Sequence, residues 1–150
     1  MPIDKLPYWD SDVFISRIQK TLGRIEDLRA ITDAAERGDV TIVTSFLTEV
    51  EVVKLKELGL LDEETERMVA QFFENDYLSV RVVDRFVAEK ARPIVRQFKL
   101  KPTDAVHVAT ALLMEVDVLH TYDERHLLPL NGQIDKLDGG SKLRIEKPRS

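Results

Sequence analysis

Four acidic residues stand where a strand-like run gives way to a helix or turn pattern: Asp10 in YWDSDVFI, Glu51 in TSFLTEVE, Asp104 in KPTDAVHVATA and Asp123 in HTYDERHL. Mg²⁺ and Mn²⁺ choose carboxylate and water oxygens, and substrate phosphate oxygens commonly complete their shell. Brought together, the four predict a site for Mg²⁺ (or Mn²⁺), and such an ion can activate water for in-line attack on phosphorus. Clustered acids repel, so at least one should titrate high when no cation is bound.

Each acid also has a purely structural use. Asp10 and Asp12 suit the N-cap of a helix. Glu51 lies three residues after Thr48, the spacing of a capping box. Asp104 follows Thr103 at a helix start, where the macrodipole stabilises an anion by roughly 0.3–1 kcal/mol. Asp123 suits a turn after a strand. What the separate uses leave unexplained is their common placement: in an open, mainly parallel sheet the carboxyl ends of the strands form one rim, where distant acids meet.

The three histidines offer a rival donor set. His107 lies one helical turn after Asp104, His120 sits in a strand, and His126 follows Asp123 by three. No pair has the four-residue helical spacing of a zinc hydrolase. His107 and His126 are expected to pack or to orient carboxylates, and His120 to point away from the site.

The elements that must position these residues alternate. LPYW reads as a short strand, and Phe14, Ile18, Leu22, Ile25 and Leu28 recur at helical steps, with Gly23 expected to break or bend the run. VTIVT is a strand ending at Ser45. FLTEVEVVKLKEL predicts a helix burying Leu47, Val50, Val53 (or Val52), Leu55 and Leu58, with Gly59 as its stop. A second helix from about Asp62 carries Met68, Val69, Phe72 and Phe73, and YLSVRVV follows as a strand. DRFVAEKARPIVRQF is helical on both sides of Pro93, which should kink or split it. Thr103 is the expected cap of AVHVATALLMEV, DVLHT is a short strand, and KLRIEK is a last, outer one. The expected fold is α/β: a three-layer α/β/α sandwich with a central, mainly parallel sheet and right-handed crossovers, in a single domain over residues 1–150.

Composition bounds the function. No cysteine is present, which excludes disulfides, zinc-thiolate sites and thiol nucleophiles. The start, MPIDKLPYWD, shows neither a basic leader with an apolar run nor a small-residue cleavage pattern, and no apolar stretch approaches the roughly 20 residues of a membrane helix. A soluble cytoplasmic protein is expected. The net charge of -5 looks unsuited to a polyanion. Yet if Asp10, Asp12, Glu51, Asp104 and Asp123 are set aside from the 27 acids, 22 remain against 22 Lys plus Arg. Bound divalent ions would cancel most of that local excess.

YWDSDVFI, TSFLTEVEV, KPTDAVHVATALL and HTYDERHL, in that order, resemble the PIN domain family, and within it the VapC-type toxins of toxin–antitoxin pairs. The resemblance runs nearly to Leu128. It implies that Asp10, Glu51, Asp104 and Asp123 bind Mg²⁺ or Mn²⁺, with Asp12 adding an outer carboxylate or capping the helix, and Thr121 bonding a metal water. It further implies an endoribonuclease that leaves a 3′-hydroxyl and a 5′-phosphate, a cognate antitoxin that covers or disorders the site, and a homodimer. Basic residues including Arg17, Lys20, Arg24, Arg81, Arg85, Arg92, Arg96, Lys99 and Lys101 are candidates to steer RNA through its phosphates, with a marked salt dependence. Two other readings stand beside it. Asp10-Ser11-Asp12-Val13 also fits the opening of haloacid-dehalogenase-like phosphatases, with Asp10 as nucleophile, and a PIN-like interaction module without turnover would carry the same pattern.

Overall fold

Neighbouring residues of a strand point to opposite faces, so a strand with both residues apolar must be covered on both sides. Tyr8 and Trp9 are such a pair, and both are fully buried. The computed structural model describes residues 3–55 and 59–150, with only the backbone of Lys54 and Leu55. Through them run β1 (Pro7–Trp9), α1 (Ser11–Gln19), α2 (Ile25–Glu36), β2 (Ile42–Ser45), α3 (Phe46–Glu51), β3 (Lys54–Leu55), β4 (Gly59–Leu60), α4 (Glu63–Phe73), β5 (Leu78–Arg81), α5 (Arg85–Phe98), α6 (Pro102–Leu113), β6 (Val118–His120) and β7 (Ile145–Glu146).

The central sheet has the order β5-β2-β1-β6-β7, and each of its pairings is parallel. Tyr8, Val43, Leu119 and Ile145 face one core with residues of α5 and α6, among them Ala91, Ile94, Val108 and Leu112. Trp9, Ile42 and Leu78 face the other, against Phe14 of α1, Leu28 and Ile31 of α2 and Val69 and Phe73 of α4. The sheet therefore lies between two helical layers, as the alternation predicts. The connecting segment before β7 contributes Ile134 and Leu143 to the first core, and Arg144 ties β7 to Asp4 through paired hydrogen bonds of 3.0 and 3.3 Å.

Several local expectations are corrected. The first helix stops at Gln19, where Lys20 adopts a left-handed conformation (φ 54°), before Gly23 is reached. Leu22 consequently leaves the apolar stripe and is 92% exposed. The helix expected over FLTEVEVVKLKEL ends at Glu51, and the chain turns into the antiparallel β3–β4 pair. The turn changes the stripe: Val52, the alternative to Val53, is buried, whereas Val50 and Val53 are exposed. The side chains of Leu55 and Leu58 lie outside the described residues. In α4, Met68 is exposed while Val69 and Phe73 carry the core contact.

Pro93 lies inside α5 without splitting it. Pro93 and Glu89, whose carbonyl loses its amide partner, both face solvent, so water can take up that bond. The N-cap of α6 is Lys101 rather than Thr103, and Pro102 occupies the first helical turn, where a missing N–H costs nothing. Among the described residues no helix is long and apolar enough to cross a membrane.

Candidate metal centre

Because the strands are parallel, β1 and β6 end side by side. Trp9 is in register with His120, and the residues that follow, Asp10 and Thr121, meet across that junction. Thr121 Oγ1 donates to Asp10 Oδ2 at 2.5 Å and accepts from the Asp123 amide at 3.1 Å. Asp10 does cap α1, through Oδ1 and the Val13 amide at 3.2 Å. Its capping and its place at the rim coexist. Burial pushes the Asp10 carboxyl up to about 7, against the opposing pull of the Thr121 hydroxyl, and the nearby Asp12 charge adds to the rise. One acid does titrate high, as expected, but burial rather than repulsion between clustered acids is the main cause.

Glu51 ends α3 and is not part of a capping box. Ser45 is the N-cap of that helix, and Thr48 is bonded to Thr44 instead. Glu51 Oε1 receives Ser11 Oγ at 2.6 Å and lies 2.7 Å from His107 Nε2. His107 is buried, and its Nδ1 lies 2.6 Å from the Tyr8 hydroxyl. An ionised carboxylate can only accept, so Nε2 carries a proton, and Nδ1 can accept from Tyr8. Burial alone would raise Glu51, but the His107 and Ser11 bonds outweigh it and hold the carboxyl below its ordinary value. Burial, reinforced by the Asp10 charge, holds the Tyr8 hydroxyl well above its usual range, so it remains a donor.

Asp104 lies in the first turn of α6, and the turn after β6 carries Asp123 and His126. Asp123 Oδ1 accepts from the amides of Arg125 and His126, both at 3.0 Å, the turn role expected of it. Its Oδ2 lies 3.5 Å from His126 Nδ1. One ligand atom from each of Asp104, Asp123 and His126 falls within 4.8 Å of the others. Asp104 Oδ2 is buried and has no hydrogen-bond partner; Lys101 Nζ approaches to 3.9 Å, beyond bonding distance. Burial raises the Asp104 carboxyl, Lys101 opposes that rise, and the Asp123 charge adds to it.

Two of the four predicted acids, Asp104 and Asp123, are thus brought together, and His126 joins them. Asp10 and Glu51 are outside that close group. They stand apart from it, although His107, whose ring holds Glu51, lies on the same helix as Asp104. The residues fit a hard divalent cation: a buried carboxylate oxygen with no hydrogen bond, only Lys101 Nζ at 3.9 Å, and a second carboxylate beside it is an oxygen donor set of the kind such an ion takes. Asp12 lies in the first turn of α1. His120, buried and accepting the Trp9 indole N–H at 3.1 Å, belongs to the packing beneath the rim.

Sequence reasoning missed Tyr8 and Ser11. Tyr8 reads as one more apolar strand residue, and only the register of β1 on the sheet turns it toward His107. Ser11 adjoins Asp10, yet nothing local ties it to a residue 40 positions away.

The family model for the PIN domain matches residues 8–128, which hold all four acids. This chain belongs to the PIN domain family. Its fold is similar to that of a toxin–antitoxin complex from Klebsiella pneumoniae (20% identity, TM-score 0.60, covering 80% of this chain and 88% of the other). It is also similar to VapC20 of Mycobacterium tuberculosis, a toxin that cleaves the sarcin–ricin loop (14% identity, TM-score 0.63, 80% and 92% covered). A third similar fold is VapBC2 of Rickettsia felis bound to a DNA fragment from its promoter (14% identity, TM-score 0.57, 79% and 88% covered). A comparison with curated protein sequences finds no match. At these identities the likeness speaks for the fold.

Proposed function

We propose that this PIN domain is a Mg²⁺- or Mn²⁺-dependent endoribonuclease of the VapC toxin type, restrained by a cognate antitoxin and working as a cytoplasmic homodimer. The observation that carries the reading is the buried Asp104 Oδ2, without a hydrogen bond and with only Lys101 Nζ at 3.9 Å, beside Asp123 and His126. Asp104 and Asp123 are the residues that would hold the cation, with Asp10 and Glu51 completing the acidic wall and Asp12 outside it. A bound divalent ion supplies charge to the phosphoryl oxygens and acidifies water.

The chain's own groups do the rest. Glu51, fixed through Oε1 by Ser11 and His107, keeps Oε2 to orient the attacking water. Thr121 holds Asp10 and the Asp123 amide in one register. Lys101, exposed beside Asp104, meets the non-bridging oxygens of the scissile phosphate. Water adds to phosphorus as the bond to the 3′ oxygen breaks, giving a 3′-hydroxyl and a 5′-phosphate.

The phosphatase reading has less support. Both Asp10 oxygens are already engaged, by Thr121 and the Val13 amide, and the residue is only 5% exposed, which is poor geometry for a nucleophile. The test is cleavage of single-stranded RNA by the wild type, Asp10→Asn and Asp104→Asn with Mn²⁺ or with a chelator. Cleavage that needs the metal and both acids is expected. Cleavage that persists in chelator overturns the metal assignment, phosphomonoester turnover favours the phosphatase, and silence on both substrates leaves an interaction module.

A further inference from the structure

Two helices packed side by side leave a groove between them, and the residues that line it decide what can lie there. In the groove of α5 and α6, Ala88, Ala91 and Val95 stand across from Pro102 and Val106 around a hollow of about 500 Å³, and Arg92 and Arg96 complete its lining. A second hollow of about 650 Å³ shares both arginines and adds Glu89, Pro93 and Gln97. On α6, Pro102 and Val106 lie two residues to either side of Asp104, which at about 100° per residue sets them across the helix from it. The groove is therefore separate from the metal centre.

Its lining combines small apolar side chains with free positive charge. Arg92 and Arg96 are exposed and one helical turn apart, and among the described residues neither has a carboxylate within ion-pair distance. Glu89 is the only acid lining either hollow, and it pairs with neither. Arg85, also exposed, precedes Arg92 by seven residues and so falls on the same side of α5. Two guanidiniums one turn apart match two carboxylates at the same spacing, the i and i+4 positions of a helix. The aliphatic floor between them suits the apolar stripe of that helix, whose anchors recur three and four residues apart.

Other occupants match the lining less well. Two copies laid groove to groove would set arginine against arginine. For RNA, the arginines could meet phosphates, but no aromatic side chain lines either hollow as a platform for a base.

We propose that the α5–α6 groove docks an acidic amphipathic helix of a partner protein, its apolar side chains seated on Ala88, Val95, Pro102 and Val106 and two of its carboxylates on Arg92 and Arg96. The assignment goes beyond the nuclease reading and does not rest on it.

The probe is a fluorescein-labelled helical peptide of about 14 residues, three to four turns, in which leucines recur three and four residues apart and glutamates one turn apart flank them. Titrated with the full chain and followed by anisotropy, it should bind with a Kd below about 1 mM. It should bind at least about tenfold more tightly than the same peptide with lysine for glutamate or with serine for leucine. Arg92→Glu combined with Arg96→Glu should weaken the acidic peptide at least about tenfold and turn the preference toward the lysine peptide. Ala88→Arg, which keeps the positive charge and fills the floor, should weaken it at least about fivefold. All three positions are exposed, and an unchanged urea midpoint checks that the variants fold. No binding at the stated limit, equal binding of the three peptides, or an affinity that survives both variants overturns the proposal. A uridine dodecamer that binds through the arginines where the acidic peptide does not would overturn it in favour of an RNA face. Self-association abolished by Ala88→Arg, without peptide binding, would overturn it in favour of a second copy of this chain.

Discussion

The two halves of the acidic rim differ in how their oxygens are satisfied. On the Asp10 and Glu51 side each carboxylate has protein partners: Thr121 and the Val13 amide for one, Ser11 and His107 for the other. On the Asp104 and Asp123 side, a buried oxygen of Asp104 is left without a hydrogen bond. The first half is organised by the fold itself. In the second, that oxygen has Lys101 Nζ at 3.9 Å and no hydrogen bond, and on the proposed reading a divalent ion would complete it.

The sharpest way to break this comparison is Asp104→Asn. RNA cleavage should fall by about 100-fold or more, the scale for removing one charge-stabilising group from a preorganised site. In chelator, however, its unfolding free energy should stay within about 0.5 kcal/mol of the wild type or rise, because the oxygen that changes makes no hydrogen bond and its Lys101 partner is 3.9 Å away and exposed. A large loss of stability in chelator would place Asp104 among the structural carboxylates.

His107→Ala should behave in the opposite way. It strips the Tyr8 hydroxyl and Glu51 Oε1 of a partner at once, and a cost of about 2–4 kcal/mol in chemical denaturation is expected, with or without metal. A change below about 1 kcal/mol would mean that the network from Tyr8 to Glu51 does not organise its half.

A third comparison uses protons. Burial lowers His120 to about 4 from 6.5. Between those values the unfolded imidazole binds a proton that the folded one refuses, so the His120 contribution to stability should fall by up to about 3 kcal/mol as pH drops from 6.5 to 4, while Asp10, raised to about 7, contributes in the opposite sense. His120→Gln, which retains an acceptor for the Trp9 indole, should remove that contribution, read in urea titrations as the difference between wild type and variant across the range. The smallest effect expected is that of Thr121→Val. Losing the bonds to Asp10 and the Asp123 amide should cost about 1–2 kcal/mol and reduce cleavage as the halves lose their shared register.

Much of this was legible because periodicity and chemistry agree. β-branched VTIVT, the capping acids and the apolar run after Asp104 announce their elements, and parallel order follows from the alternation. Helix ends were less legible. At Lys20 a left-handed residue that is not glycine ends α1, and nothing in its chemistry announces it. At Glu51 the β3–β4 pair overrides a plausible helical stripe, leaving Val50 and Val53 exposed while Val52, the alternative to Val53, is buried. In the site, the acids stood out by type and position, but which oxygens already had partners depended on contacts such as Tyr8 with His107, 99 residues apart. His126 stood in the sequence as part of a rival histidine and carboxylate set, but that it, and not His107, joins Asp104 and Asp123 belongs to the tertiary fold.

An all-parallel sheet also carries a kinetic consequence. No hairpin joins its neighbouring strands, and the hydroxyl that links Asp10 to the Asp123 amide sits 111 residues along the chain from Asp10. Such long-range closures form slowly and late. A ribosome must release the chain past residue 123 before the acids can assemble, so a nascent or half-folded copy lacks the site altogether.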